Sequence, residues 1–471
     1  MVERRRQQRM LWEGWFPEEA AGWWEPWMKH ADQVLDDAEL LDAVYEAQGQ
    51  RRPNSRRRGR KQTSSEATLR LAVLKHVRNW SFEETEREVR ANVVYRQFTR
   101  IGAEKVPDAK TMGRLVQALG PEVVQQIHQR VVGVAQEKKV VQGRKLRVDT
   151  TVIEANVHYP TDSSLLEDGA RVLSRTMKKI VEVTKKAGTG LRDRMRSIGH
   201  RAMEIARTSR SKGPQIQEKM KQGYRKLLRT TRQVVNQAKR FQQEIASGVK
   251  RAVQRKQKSV LRDLGGELET MLPRVQQVIR QAKARVLGGD VHVPGKLVSV
   301  FEPSTEVIRK GKASKPTEFG KMIKIQEAEN QIVTNYEVFE KRPSDSDLLV
   351  PAVEKHQEQF GRVPHMVAAD AAFYSAANER ELEVMGVKQI SVPNRSTKSP
   401  ERRRHQKKRS FRRGQKWRTG SEGRISVLKR RHGLNRCRYR GDAGMQRWVG
   451  LGVIADNLIN IGRFLAGNNS G

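Results

Sequence analysis

Three carboxylates stand in this chain where chemistry on phosphodiesters could use them. Asp149 belongs to the β-branched run Leu146-Arg147-Val148-Asp149-Thr150-Thr151-Val152-Ile153 and reads as a strand-end acid. Asp370 follows a second strand-like run, Met366-Val367-Ala368-Ala369, and Glu422 opens a helical pattern crowded with Arg and Lys. Phosphodiester cleavage with two metal ions needs a few carboxylates converging on ions about 3.5–4 Å apart, one ion activating the attacking oxygen and the other stabilising the leaving oxygen. Oxygen donors on a rigid sheet edge and a packed helix suit Mg²⁺. Each acid also has a plain structural reading: Asp149 as a strand-end cap, Asp370 as a turn residue, Glu422 as a first-turn acid offsetting the helix dipole.

The neighbours of Glu422 separate these readings. In the stretch Trp417-Arg418-Thr419-Gly420-Ser421-Glu422-Gly423-Arg424 the acid lies among cations that stabilise its charge. Lys429 lies seven residues on, two helical turns along the same face, so a phosphate clamp would stand beside a metal ligand. An ordinary Glu–Lys surface face would continue with mixed charge, whereas Arg430, Arg431, Arg436, Arg438 and Arg440 stay positive. The whole chain carries a formal net charge of +40 with a pI near 10.7, a field that draws in polyanions, and nucleic acid is the expected partner. With 471 residues, 36% of them hydrophobic, it can bury sizeable cores and should form two or three domains. The single cysteine, Cys437, excludes an internal disulfide framework and a Cys-rich zinc site and fits a reducing compartment. No signal-peptide pattern opens the chain, and Asp456, Asn457, Asn460 and Arg463 interrupt the longest apolar stretch; the expectation is a soluble, cytoplasmic protein, nucleoid-associated when bound to DNA, with no membrane partner.

An α/β sheet must hold the acids. Besides the run at Asp149, strands are expected at Lys296 to Phe301, Met322 to Gln326, Gln331 to Phe339, Pro364 to Ala369 and Val387 to Val392, with helices at Ser346 to Phe360 and Asn378 to Met385. Between the first strand and the rest, Ser164 to Leu287 is helix-prone and basic, with few acids to offset its cations; this is expected of a phosphate-facing arm inserted into one sheet. Ahead of the sheet, Ser64 to Lys139 is helical throughout, with helix starts at Ser64, Ser81 and Asp108, and suits a helix-turn-helix-like DNA reader or a plain bundle. Residues 1–50 are acidic and Trp-rich (Trp12, Trp15, Trp23, Trp24, Trp27), with packing anchors favoured over a partner surface; Arg51 to Lys61 is a basic linker. The expected organisation is 1–62 for this segment and linker, 63–143 for the helical DNA-binding domain, 144–163 for the first part of the sheet domain, 164–289 for the insertion and 290–471 for the remainder with a C-terminal helix. His158-Tyr159-Pro160-Thr161-Asp162 is expected to start a helix; no partner ligands cluster with His158 for zinc.

The order and spacing of three blocks resemble bacterial insertion-sequence transposases of the DDE class: Val148-Asp149-Thr150-Thr151-Val152 with His158 to Ser163, Ala369-Asp370 with Phe373-Tyr374-Ser375, and Arg418 through Gly433-Leu434 to Trp448-Val449-Gly450-Leu451. The resemblance covers roughly residues 65–465. Such chains often carry a Tyr, Arg, Glu, Lys signature around the third acid; Arg418, Glu422 and Lys429 match its spacing, and Gln415 stands at the Tyr position. Asp370-Ala371-Ala372 also departs from relatives that place Gly before the aromatic pair. The resemblance implies an RNase H-like mixed-sheet catalytic domain, with an N-terminal all-helical domain and a long basic helical insertion. It implies metal-dependent cleavage at the ends of the element and attack of the freed 3′-OH on target DNA. Asp149, Asp370 and Glu422 would be the catalytic and metal-binding acids, using Mg²⁺ with Mn²⁺ as a substitute. Arg418, Lys429, Arg430 and Arg431 would touch DNA, and the enzyme would work on double-stranded ends and target as a homo-oligomer. Two other readings stay open: a transposase-derived DNA-binding protein that no longer cleaves, and a metal-dependent nuclease of repair or recombination.

Overall fold

The structure is a computed structural model and describes residues 1–5, 22–51, 54, 56, 62–185, 187–211, 213, 215–309 and 317–468. Trp12 and Trp15 of the aromatic segment, and Arg52, Arg57, Arg58, Arg60 and Lys61 of the basic linker, lie outside the described residues. The chain divides into two compact units, Met1–Asn156 with Gly320–Gly471, and Val157–Phe319.

The first unit begins with helices α1 (Pro26–Leu35), α2 (Ala38–Gln50), α3 (Ser65–Val77), α4 (Phe82–Ala91), α5 (Val93–Phe98) and α6 (Ala109–Glu137). Their starts are set by side chains that accept otherwise unpaired backbone N–H groups: Ser64 from Ala67, Ser81 in a reciprocal capping box with Glu84, and Asp108 from Thr111. Helix α3 is buried on every side, and its polar residues are therefore all engaged or caged. Arg70, fully buried, holds Asp32 at 2.5 Å and Asp36 at 2.7 Å, and Arg130 of α6 holds Asp37 at 2.7 Å. The acidity of the N-terminal segment thus serves to neutralise arginines of the helices beneath it. Trp27 packs edge-on against Phe98, ring centroids 5.6 Å apart, and the Trp24 indole N–H donates to Gln97. These two tryptophans are packing anchors, as expected, while Trp23 is exposed.

The sheet follows with β1 (Lys145–Glu154). Helices α7 (Asp162–Thr184), α8 (Met195–Thr208), α9 (Ile216–Ala246) and α10 (Lys258–Ala282) come before β2 (Glu306–Arg309), β3 (Thr317–Glu327) and β4 (Val333–Val338). The remainder is α11 (Leu349–Phe360), β5 (Met366–Ala368), α12 (Ala376–Val384), β6 (Gln389–Ser391), α13 (Pro400–Lys407), α14 (Arg409–Arg431) and α15 (Gly441–Asn468). The six strands form one mixed sheet in the order β2-β3-β1-β5-β6, with β4 on β3. β1 is antiparallel to β3 and parallel to β5, and β5 is parallel to β6. The mixed α/β sheet and the helical N-terminal region match the expected fold class. The strand expected at Lys296 to Phe301 does not form. There the Gln281 side chain accepts from the Leu297 N–H and donates to its carbonyl, both at 2.9 Å, satisfying the backbone without a partner strand.

Helix α15 is long and apolar enough to cross a membrane by length and composition, but most of it is buried within the protein. Its polar residues fix it to the sheet: the Asn457 carboxamide bonds both the N–H and the carbonyl of Val333, each at 2.8 Å, and Asn460 donates to the Gln331 carbonyl. In the second unit, Leu227, Val234 and Phe241 of α9 share a core with Leu173 and Met177 of α7 and with Leu272 and Val275 of α10. Helix α7 starts at the Thr161 capping box, as expected, and exposed His158 lies 3.5 Å from Asp168.

Lys75 of α3 is boxed by aromatic rings, its Nζ 4.9 Å from the centroid of Phe82, 5.4 Å from that of Tyr439 and 4.7 Å from that of Trp448. Burial favours the neutral amine and pulls its pKa down to about 7, Arg438 adding to the effect while Cys437, Glu83 and Glu84 oppose it. Unfolding returns the ammonium to water and its usual pKa. Between about pH 7 and pH 10 the unfolded chain therefore holds a proton that the folded chain has released, and this group makes stability rise with pH across that window. Lys75→Met, which keeps the packing, should flatten that rise; urea midpoints for both proteins at pH 7 and pH 9 would show it, and parallel shifts would refute it.

Candidate active site

Asp149 and Asp370 are brought together by strand register. The parallel pairing of β1 with β5 ends at Arg147 opposite Ala368, and each acid lies two residues beyond that couple on its own segment. Side chains alternate along a strand, so Asp149 shares a face of β1 with Arg147. Sequence reading placed Asp149 at a strand end; it lies inside β1, whose antiparallel pairing with β3 continues to Glu154 opposite Gly320. What ends near Asp149 is the pairing on the β5 side only. Asp370 follows β5 and caps the 3₁₀ turn Ala371–Phe373 by accepting from the Ala371 N–H, so the Asp370-Ala371-Ala372 departure forms a tight turn beneath the second acid.

Helix α14 supplies the third acid. Glu422 lies in the interior of Arg409–Arg431 and does not open a helix, which corrects the expectation and removes the first-turn dipole reading. Glycine is a poor helix former, yet Gly420 and Gly423 both lie inside α14. Gly420 permits close approach: a Cβ there would collide with the Arg147 guanidinium, as one at Gly414 would with the Ser391 hydroxyl. Arg147 is buried, pairs with Glu327 of β3 through two bonds, donates to the Trp417 carbonyl at 2.5 Å and lies under the Trp417 ring. Gln415, at the position where relatives carry Tyr, donates to the carbonyls of Ala369 and Ser391 and so ties α14 to the ends of β5 and β6. Lys429 donates to the Val152 carbonyl at 2.8 Å, so a phosphate contact would share its ammonium with that bond. Arg430 and Arg431 are exposed at the end of the helix.

Ser421, which sequence reading passed over, donates to the Asp149 carboxylate at 2.8 Å, and the Thr150 N–H donates to its other oxygen at 2.8 Å. A serine between Gly and Glu has no signature of its own; the adjoining Gly420 was the available sign of close approach. On the opposite face of β1, Thr150 donates to Asp345 at 2.9 Å. Burial raises the Asp149 pKa, opposed by the bonds from Ser421 and Thr150 and by the charge of Arg418, and reinforced by the charge of Asp370. The two aspartates thus share one electrostatic neighbourhood with Arg418. Glu422, largely exposed, pairs with Arg418 at 3.0 Å.

These donors are all oxygen, which suits a hard divalent cation, and each Asp149 oxygen, accepting one hydrogen bond, has capacity left. A cation beside Asp149 would offset the crowding of two carboxylates. Among the described residues, however, no three acids or histidines stand close enough to grip a metal ion together. The two aspartates suit such a cation in donor type, with Arg395 3.9 Å from Asp370, and Glu422 would have to leave Arg418 to join them.

The fit of α14 on the sheet can be tested by two glycines with opposite expected signs. Gly423 is exposed with open space around it, so Gly423→Ala should gain about 1 kcal/mol of helix propensity. Gly420→Ala must displace Arg147 and should instead lose about 1–3 kcal/mol. Chemical denaturation reads both, and stabilisation by Gly420→Ala would rule out the tight approach.

Two stretches match known families: residues 26–118 match the family described as Transposase domain (DUF772), and residues 385–461 match the Transposase DDE domain. The second includes Glu422 and the whole of α14; Asp149 and Asp370 lie outside both. No curated protein and no solved structure is significantly similar. Together with the mixed α/β sheet, these two matches support an insertion-sequence transposase of the DDE class.

Proposed function

We propose that this transposase cleaves DNA strands at the ends of its element and transfers the freed 3′-OH to target DNA, with Asp149, Asp370 and Glu422 as the acids of the site. The observation that carries the reading is the convergence of Asp149 and Asp370 beyond the last paired couple of β1 and β5, under a helix that bears Glu422. Asp149 and Asp370 would hold divalent cations, Mg²⁺ or Mn²⁺, and Glu422 would complete the set. Bound there, the cations supply the charge that activates an attacking oxygen and stabilises the leaving one.

The chain's own residues prepare that site. Ser421 and the Thr150 N–H fix the plane of the Asp149 carboxylate, so its free lone pairs have a set direction. Gln415 holds the Ala369 carbonyl and with it the segment that carries Asp370. Arg418, mostly buried, neutralises the acids; when Glu422 turns to the aspartates, its guanidinium is released toward a phosphate. Lys429 supports β1 through Val152, and the exposed Arg430 and Arg431 offer the phosphate contacts at that end of α14. The expected substrates are double-stranded element ends and target DNA, handled by a homo-oligomer, with residues 63–143 as a further DNA-binding domain.

Asp149→Asn, Asp370→Asn and Glu422→Gln should each abolish Mg²⁺-dependent nicking of an end-bearing duplex, a loss of at least about a thousandfold if the acids act as a unit, while end binding without divalent cation stays close to wild type. Cleavage surviving any one substitution would remove that residue from the site. Wild-type protein that binds ends but never cuts them would favour a DNA-binding derivative; cutting that ignores the ends would favour a nuclease.

A further inference from the structure

Helix α9 of the second unit presents a long cationic face with little to neutralise it among the described residues. Between Glu218 and Glu244 the sequence contains no carboxylate. At 100° per residue Arg225, Arg229, Arg232, Asn236 and Arg240 fall on one side of the helix, and all five are exposed. The opposite side, including Leu227, Leu228, Val234, Val235 and Phe241, is buried in the unit's core. Arg225 pairs with Glu218, an exposed contact at 3.1 Å. Arg229, Arg232 and Arg240 have no ion pair or hydrogen bond among the described residues.

A surface helix kept only for solubility mixes signs and gains from i,i+4 pairs. Here the other exposed positions of the face include Lys239 and the amides Gln222, Gln233 and Gln243, which hydrogen-bond phosphate oxygens without repelling them. From Arg225 to Arg240 the face runs about 22 Å along the helix axis. At about 3.4 Å of duplex axis per phosphate on one strand, that length spans roughly six phosphates. No aromatic or apolar side chain is exposed on this arc to stack on a base or to contact a thymine methyl.

We infer that α9 is a duplex-DNA-binding face that engages phosphates without regard to sequence, so that the second unit grips target or flanking DNA independently of the element ends. The inference rests on the proposed function for its biological setting but not for its test, which needs neither ends nor cleavage.

The test uses the full chain without divalent cation. Dissociation constants are measured by fluorescence anisotropy across a salt series, on one duplex lacking the ends and on another carrying them. The triple variant Arg229→Gln/Arg232→Gln/Arg240→Gln should reduce the slope of log K against log salt by about two to three on both duplexes, each removed contact being worth about 0.9. Single variants should each lose about one, and the triple Arg→Lys variant, which keeps the charges, should keep the slope. An unchanged slope in the triple Gln variant, with an unfolding midpoint equal to wild type, would overturn the inference. A loss confined to the end-bearing duplex would overturn it as well, since α9 would then read sequence. Should the single and Lys variants fold but leave and lower the slope respectively, the assignment to phosphates also fails. The function proposed above fails separately, if the wild-type chain shows no preference for ends and no metal-dependent cutting.

Discussion

The candidate site depends on one buried ion pair, Arg147 with Glu327. The two residues face each other across the β1–β3 register, and both are almost fully excluded from solvent. Burying two charges is expensive, and removing either partner would leave the other uncompensated, a loss of about 3–5 kcal/mol. Arg147 also donates to the Trp417 carbonyl, which couples the pair to α14. Helix position, strand pairing and the seat of Ser421 against Asp149 therefore stand or fall together. That coupling explains a helix interior with glycines at 414 and 420, where the sheet comes too near for a side chain.

A second buried network holds α14 from the other side. Arg424 forms two bonds to Asp456 of α15, at 2.6 and 2.8 Å, and also reaches Gln331, while His432 lies 3.4 Å from the same carboxylate. Through Asn457 and Asn460, α15 is bound in turn to Val333 and Gln331 around the start of β4. Glu422 thus rides on a helix fixed at both ends of its central segment, while its own side chain is exposed and paired with Arg418. A rigid backbone with one movable carboxylate lets the third acid join the site by side-chain rotation, without refolding of the helix.

The run around Asp149 announced β1 to within a residue at each end, because β-branched residues on both faces fit a strand covered on both sides. Sequence could not show that pairing with β5 stops at Arg147, since register arises from contacts between segments far apart in the chain. Glu422 was found by the cations around it but misplaced within its helix, which starts well upstream at Arg409 and runs through Gly420 and Gly423 to Arg431. Ser421 and Gln415 act through partners on strands that no local pattern links to them. The missing strand at Lys296 to Phe301 has the same origin: side chains of α10 take its backbone groups, Gln281 both those of Leu297 and Arg274 the Val300 carbonyl.

Whole-chain charge pointed correctly to a polyanion but gave no location, because many of the cations are occupied. Arg70, Arg147 and Arg424 are buried and neutralised by carboxylates, and Lys324 is buried against Glu337. These hold the fold and add little to the field outside it. The cations left over are concentrated where carboxylates are scarce, along α9 and through α13 and α14 from Arg403 to Lys416. The second group leads along the helix to Glu422; the first lies on a unit with its own core. The last residue of β1, Glu154, pairs with Gly320 near the start of β3, so the two ends of the intervening chain are close together. Chain leaving and returning at one paired couple leaves the register that aligns Asp149 unchanged, whatever length of helix is inserted between, and loop-closure entropy grows only slowly with that length. The insertion can therefore acquire a cationic face of its own without disturbing the geometry of the acids.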